Sequence, residues 1–420
     1  MLVHICCSVD SHYFLSELKK AYPQESFVGF FYNPNIHPKA EHDLRLSDVR
    51  RSCDMLKIPL IEGDYELEKW LSSVKGQEDE PEKGARCSTC FDVRLKKSAQ
   101  IAKDLGERTF TTTLLSSPMK EQETLYQQGD IIAQGYGLDF IKINVCKNGG
   151  VQKQNELAKR DNLYRQNYCG CQFALSKQRV KQDRLSLEMM SEIGGRVLPG
   201  SIKERQAIFA QRDELESGGR DYILTQRKRR IWRLLWGKIS SSALAGGSSN
   251  VSPDRAVINS YILAHSESKK SKANAITWRD VSLQALMDTS RINLASKAFC
   301  IESYAGHALK PCLESPSPSS QNLQRYDERI RLGFCSKDDS IFLCLEDFNA
   351  LIHTQFANVL ELVHNPIDYA LELWLRNLLC GSESINPIII VDSRHSWEKI
   401  DIEIEAIFQD EKTFNTIPIL

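Results

Sequence analysis

The chain has 420 residues, 54 basic against 55 acidic side chains, a formal net charge of -1 and 41% hydrophobic residues. That length suits two or three domains with sizeable cores. The balanced charge excludes a protein that coats nucleic acid over its whole surface, while leaving room for a local basic patch.

In chain order, residues 2–7 (LVHICC) predict a buried strand and 8–20 the helix after it. Residues 27–32 (FVGFFY) predict a second strand, broken by Asn33-Pro34-Asn35, and 41–57 a helix with Leu44, Val49 and Leu56 on its apolar side. A third strand is expected at 58–61 and a helix at 65–74. The polar run 75–86 reads as an exposed loop, followed by a helix over 88–104. A strand at 109–115, a helix at 119–134 and a strand at 139–143 complete the series. This alternation predicts a doubly wound α/β domain with a mostly parallel sheet.

Further along, 226–238 (QRKRRIWRLLWGK) reads as an amphipathic basic helix with Trp232 and Trp236 on one face. Turn-rich stretches at 240–253 and 315–320 read as linkers. Helices are expected at 281–298, 351–363 and 366–380, and a buried strand at 386–392. The expected division is a 1–200 domain, a 201–240 basic helical segment and a mainly helical 254–420 extension without a recognisable chemical motif.

No stretch approaches the roughly 20 apolar residues of a membrane span. The opening MLVHICC is too short for a secretory signal and lacks its basic lead. A cytoplasmic protein with reduced thiols and no membrane partner is expected.

The cysteines carry the strongest chemical signal. Eight of thirteen precede residue 172, and six of these form the pairs Cys6-Cys7, Cys87-x-x-Cys90 and Cys169-Gly170-Cys171. Thiolates select zinc, copper or iron–sulfur centres over hard cations, and Cys-x-x-Cys supplies two from one turn. Adjacent cysteines on a strand point to opposite faces, so Cys6 and Cys7 serve one centre only if the backbone turns there. Six thiolates exceed the four a cubane cluster uses, leaving two that with Asp10 suit a second iron or a redox dithiol. The lone Cys53, Cys146, Cys300, Cys312, Cys335, Cys344 and Cys380 read as small buried hydrophobes. Zinc is the rival metal.

Cys6-Cys7-x-x-Asp10, Tyr32-Asn33-Pro34-Asn35-Ile36, Glu41 with Arg45, Arg86-Cys87-x-x-Cys90 with Arg94, and Gln166-Asn167-Tyr168-Cys169-Gly170-Cys171 form one signature. Together they resemble the cobalamin-independent epoxyqueuosine reductases over about residues 1–200. The resemblance implies an iron–sulfur enzyme performing the last step of queuosine synthesis on tRNA, reducing the epoxide of epoxyqueuosine at the wobble position. It also implies a fold similar to the ATP-pyrophosphatase (adenine nucleotide alpha hydrolase-like) domain. Cys6-Cys7-Ser8-Val9-Asp10-Ser11 stands where such ATPases carry a glycine-bearing phosphate loop. Without those glycines backbone N–H groups do not converge on an anion, so no ATP requirement is expected.

By the same resemblance the cofactor is a 4Fe-4S cluster with an adjacent mononuclear iron. One division assigns Cys7, Cys87, Cys90 and Cys169 to the cluster, and Cys6, Asp10 and Cys171 to the single iron. Another puts Cys6, Cys7, Cys87 and Cys90 on the cluster and leaves Cys169 and Cys171 as a redox dithiol. Tyr168 and Tyr32 are candidate proton donors. Asn33, Asn35, Glu41, Arg45, Arg86 and Arg94 are candidates for substrate contact or for supporting it, and for Arg45 and Arg94 a structural ion pair is the competing role. The chain carries no flavin or nicotinamide fingerprint, so electrons are expected from an external reductant.

The expected partner is a tRNA anticodon loop, which proteins hold by stacking, edge contacts and cations on phosphate. Residues 157–168 (LAKRDNLYRQNY) offer Lys159, Arg160 and Arg165 with Tyr164, Asn167 and Tyr168 directly before the last cysteine pair. Two other readings are weighed: a cluster-dependent tRNA thiolase, which needs ATP and an intact glycine loop, and a metal-stabilised RNA-binding module, which gives no reason for surplus ligands.

Overall fold

A computed structural model describes residues 1–117, 122–147, 149–190, 196–241, 256–263, 265–290, 329–381, 383–394 and 399–419. The chain forms two compact units, one of Met1–Met190, Ser201–Gln226 and Phe414–Leu420, the other of Ser191–Gly200 and Arg227–Thr413. Among the described residues no helix is long and apolar enough to cross a membrane.

The first unit is built on five parallel strands, β1 (Leu2–Ile5), β2 (Val28–Phe31), β3 (Leu60–Glu62), β4 (Thr109–Thr112) and β5 (Asp139–Phe140). Their order is β3-β2-β1-β4-β5. All four residues of β1 are buried, as a central parallel strand covered on both faces requires. The helices are α1 (Ser8–Ala21), α2 (Lys39–Leu56), α3 (Leu67–Ser73), α4 (Ala85–Asp104), α5 (Gln122–Tyr136), α6 (Gly150–Arg160), α7 (Gln172–Lys181) and α8 (Ile202–Ser217). The predicted α/β alternation is observed element by element. The Cys87 pair, expected just ahead of its helix, lies in the first turn of α4. The start of the helix expected at 119 falls outside the described residues.

His4 is the polar member of β1. Its ring nitrogens lie 2.8 Å from Thr112 Oγ1 and 3.1 Å from the Tyr32 carbonyl, so the imidazole ties three strand ends together. Burial, and then the Arg94 charge, hold its pKa well below the ordinary 6.5. Burial likewise lowers His12, His37 and His42. The unfolded chain therefore binds more protons below 6.5 than the folded one. Stability is complete above that pH and is lost as pH falls, by up to about 1.4 kcal/mol per pH unit for His4. The urea midpoint is expected to drop between about pH 7.5 and about pH 5.5; an unchanged midpoint would contradict the burial of neutral histidines.

Two further sheets follow in the chain. One orders five strands as Ile276–Ser282, Arg329–Cys335, Ile341–Cys344, Ile388–Val391 and Ser260–Ile262, and only Ile341–Cys344 with Ile388–Val391 pair in parallel. The other orders Ala256–Ile258, Tyr222–Ser241, Ile400–Pro418 and Lys269–Asn274. Helices Leu283–Ser290, Leu345–Ile352, Val359–His364 and Tyr369–Cys380 accompany them. The extension is thus helical only in part.

The basic stretch 226–238 corrects the helical reading, since it lies inside the strand Tyr222–Ser241. Residues four apart share a face at the helical period and at the period of two alike, so the Trp232–Trp236 spacing does not separate them. Trp232 packs against Phe408 of Ile400–Pro418 with ring centres 4.9 Å apart, a cross-strand contact with no local signal. The expected linker at 315–320, most of that at 240–253, and the end of the 281–298 helix lie outside the described residues.

Candidate metal centre

Strand β1 ends at Ile5 and α1 begins at Ser8, so Cys6 and Cys7 occupy the turn between them. β1 and β4 are neighbours whose connections leave in opposite directions, and such a switch point opens a crevice at the carboxyl edge of the sheet. Across it the Cys6 N–H donates to Thr113 Oγ1 at 3.1 Å, and the Thr113 hydroxyl donates to Cys6 Sγ at 3.3 Å.

The turn brings both thiols to one side. Cys6 Sγ lies 3.9 Å from Cys7 Sγ and donates to Asp10 Oδ2 at 3.4 Å. One ligand atom from each of Cys6, Cys7 and Asp10 lies within 4.8 Å of the others. Asp10 projects from the first turn of α1, and its other oxygen, Oδ1, accepts from Gln154 Nε2 of α6 at 2.7 Å. The hydrogen bond with Cys6, burial and the Asp10 carboxylate together hold the Cys7 thiol well above its ordinary pKa. A bound cation reverses that balance and takes the thiol as thiolate.

The other four cysteines come from α4 and the loop before α7. Arg86, Cys90 and Arg94 stand at i, i+4 and i+8, one face of α4. Cys87 Sγ accepts from the Lys83 N–H at 3.2 Å. Cys90 and Cys171 are buried in one apolar cluster with Trp70 and Val74, and Cys169 packs on it. Burial, and then neighbouring Cys169, push the Cys171 thiol up to about 12. Cys7 thus stands with Cys6 and Asp10, and Cys171 with Cys90 and Cys169. That grouping differs from both divisions drawn from the sequence.

The 168–171 loop is held from below. Arg45 donates to the Tyr168 carbonyl at 3.0 Å and to the Cys169 carbonyl at 3.3 Å, and its guanidinium lies 5.1 Å from the Tyr168 ring centre. The Tyr168 hydroxyl donates to the His37 carbonyl, while the His37 N–H donates to Gly170 O at 2.9 Å. Gly170 sits at φ +107, and a Cβ there would lie 2.7 Å from Ile36 Cγ1 and 3.2 Å from Ile36 Cα. Gly170→Ala is therefore expected to cost about 1–3 kcal/mol in thermal or urea unfolding and to misplace the flanking cysteines. A variant as stable as the parent would contradict this account of the turn.

All six paired cysteines and Asp10 line one cavity of about 470 Å³. Asn33, Asn35, Arg45, Arg86, Arg94, Arg165, Asn167 and Tyr168 line it too. Five sequence candidates lie off it, Lys159 and Tyr164 among them. Glu41 is fully buried and pairs with Arg45 at 2.8 Å. Tyr32 donates to Glu66 Oε2 at 2.6 Å. Arg160 is exposed and pairs with Asp161 at 2.8 Å. Asn33 bridges the Ile5 carbonyl and the Arg94 guanidinium, so Arg94 is tied to an amide rather than to a carboxylate. Sequence reasoning passed over Trp70, Gln154 and Gln178, which also line the cavity.

Comparison with known proteins places this site in a family. The profile described as Epoxyqueuosine reductase QueH matches residues 1–177. An epoxyqueuosine reductase QueH of Helicobacter pylori is 40% identical over 423 residues, covering 99% of both chains. Those of Acinetobacter baylyi and Thermotoga maritima are each 35% identical, over 45% and 44% of this chain and 88% and 95% of their own. A solved structure, the U34-tRNA thiolase NcsA from Methanococcus maripaludis with its [4Fe-4S] cluster, aligns with a TM-score of 0.20 and 12% identity over 46% of this chain and 75% of its own.

A thiol-lined crevice in a doubly wound α/β unit defines the class structurally. The chain belongs to the QueH epoxyqueuosine reductase family, and is an oxidoreductase of tRNA modification.

Proposed function

We propose that this chain reduces epoxyqueuosine to queuosine at the wobble position of tRNA, opening the epoxide with two electrons and two protons and releasing its oxygen as water. The observation that carries the reading is the convergence of three cysteine pairs and Asp10 on one cavity. Its donor set is soft and sulfur-rich, which suits iron–sulfur chemistry. With Cys6, Cys7 and Asp10 grouped within 4.8 Å, four cysteines are left, the number a 4Fe-4S cluster uses. On this reading Cys87, Cys90, Cys169 and Cys171 hold the cluster, and Cys6, Cys7 and Asp10 hold a single iron. When bound, these centres supply single electrons from an external reductant and a Lewis acid for the epoxide oxygen.

The chain's own side chains bind and orient. Asn35 is 3% exposed and its Oδ1 has no hydrogen-bond partner among the described residues, so it is available to accept from a substrate hydroxyl. Arg165, exposed where it lines the cavity, suits a backbone phosphate of the anticodon loop. The turn Cys6-Cys7 has no glycines with which to wrap a triphosphate, so the reaction needs no ATP.

Gln154 fixes Asp10 through Oδ1 and leaves Oδ2 for the metal. Gln154→Leu is expected to weaken iron binding at Cys6, Cys7 and Asp10 about 10–100-fold, read by competition with a chelator. Unchanged affinity would remove Gln154 from the site. The activity test is anaerobic conversion of epoxyqueuosine-containing tRNA by reconstituted full-length protein, with chemical reductant and without ATP, read by nucleoside mass spectrometry. Queuosine is the expected product; none from protein with its full iron content would sink the proposal.

A further inference from the structure

Two buried side chains beside the second cysteine group carry N–H donors with no hydrogen-bond partner among the described residues. Trp70 of α3 is 0% exposed, and its Nε1 has no hydrogen-bond partner among the described residues. Its indole stacks on Phe173 at 6.1 Å and shares an apolar cluster with Cys90 and Cys171. Arg86 of α4 is 1% exposed. Its Nη1 donates to the carbonyls of Gln77, Glu78 and Glu80 at 3.2, 2.9 and 2.6 Å, which locks the guanidinium in place. Its Nε and Nη2 have no hydrogen-bond partner among the described residues, and the guanidinium lies 5.7 Å from the Phe173 ring centre. Those two atoms form the side-on fork, the edge with which Arg50 grips Glu62 at 2.5 and 2.7 Å elsewhere in this unit.

A buried donor left unsatisfied is costly, and these N–H groups belong to two side chains that line one cavity, where a bound acceptor would satisfy them. Thiols are weak acceptors. Sulfide and thiolate carry charge and accept well. Trp70 shares its apolar cluster with Val74, Cys90 and Cys171, surroundings that suit sulfur bound at those cysteines better than a hydrated phosphate.

We infer that Trp70 and Arg86 donate N–H hydrogen bonds to the sulfur of the centre held by Cys87, Cys90, Cys169 and Cys171, and thereby raise its reduction potential. The inference rests on the ligand assignment made above. Reduction adds negative charge, and donors or a cation beside the sulfurs stabilise the reduced form more than the oxidised one. Both residues are positioning groups that act through the centre and leave the epoxide untouched.

The test is a redox titration of anaerobically reconstituted full-length protein, followed by electron paramagnetic resonance, for the parent, Trp70→Phe and Arg86→Gln. Phenylalanine keeps the ring and its stack and removes only the N–H. Each variant is expected to keep the parent's iron and sulfide content. Its oxidised-to-reduced ratio at fixed potential should rise about tenfold, a midpoint about 59 mV more negative for a one-electron couple. Arg86→Gln also loosens the 77–80 loop, so Trp70→Phe decides if the arginine variant does not fold. A Trp70→Phe midpoint equal to the parent's, with the cluster intact, overturns the inference and leaves the proposed function standing. A raised KM for tRNA in Arg86→Gln with an unmoved midpoint reassigns that fork to substrate phosphate and overturns it for Arg86. A parent chain that takes up no cluster overturns the function and the inference together.

Discussion

Exchange of Cys6 for alanine is expected to lower epoxyqueuosine turnover roughly a thousandfold while the protein stays folded. Cys6 is half-buried, and the hydrogen bonds of its side chain run to Cys7, Asp10 and Thr113, all within the site. Its loss removes one of three ligand atoms grouped within 4.8 Å and only a partly buried side chain at the edge of the apolar core. A Lewis acid on the leaving oxygen is worth several kcal/mol, and each 1.36 kcal/mol is about tenfold in rate, hence the estimate. Single-turnover assays under anaerobic conditions, with circular dichroism as the folding control, measure it. Activity within about tenfold of the parent would mean that the Cys6 group is not where the oxygen is drawn off.

The second large effect is on stability. Glu41 is 0% exposed and joins Arg45 Nε to the Tyr164 hydroxyl, each at 2.8 Å. Glu41→Leu leaves a buried guanidinium without its counter-charge, which is expected to cost about 3–5 kcal/mol in urea unfolding. Adding Arg45→Leu removes the stranded charge and should recover much of that loss. The double variant should still bind less iron than the parent, because the carbonyls of Tyr168 and Cys169 lose their donor. A double variant as unstable as Glu41→Leu alone would contradict this division between charge balance and loop positioning.

The same cluster separates what was legible in the sequence from what was not. Strands at 2–7 and 27–32 are short apolar runs bounded by turn signals, and both are observed as Leu2–Ile5 and Val28–Phe31. The cysteine pairs stood out because paired thiols are rare outside metal and redox sites, and all six line one cavity. Glu41 and Arg45, four apart on one helix, could be read as an ion pair, and they form one. By contrast, Gln154 meets Asp10 across 144 residues, and no local pattern points to that contact. Trp70, in the helix expected at 65–74, carries no local sign that folding sets it among the cysteines. The grouping of Cys7 with Cys6 depended on how sharply the chain turns after Ile5, which composition does not encode. The 226–238 segment misled because its tryptophan spacing fits two periods and its partner strand lies far along the chain.

On the proposed reading, one cavity holds two separate sets of ligands for two centres. Iron and acid-labile sulfide counts, with Mössbauer spectra, on the anaerobically reconstituted parent and on Asp10→Ala test it most directly. The account predicts that the variant loses the one iron outside the cluster and keeps the parent's sulfide and cluster signal. Equal iron in both proteins, or loss of sulfide along with iron in Asp10→Ala, would contradict it.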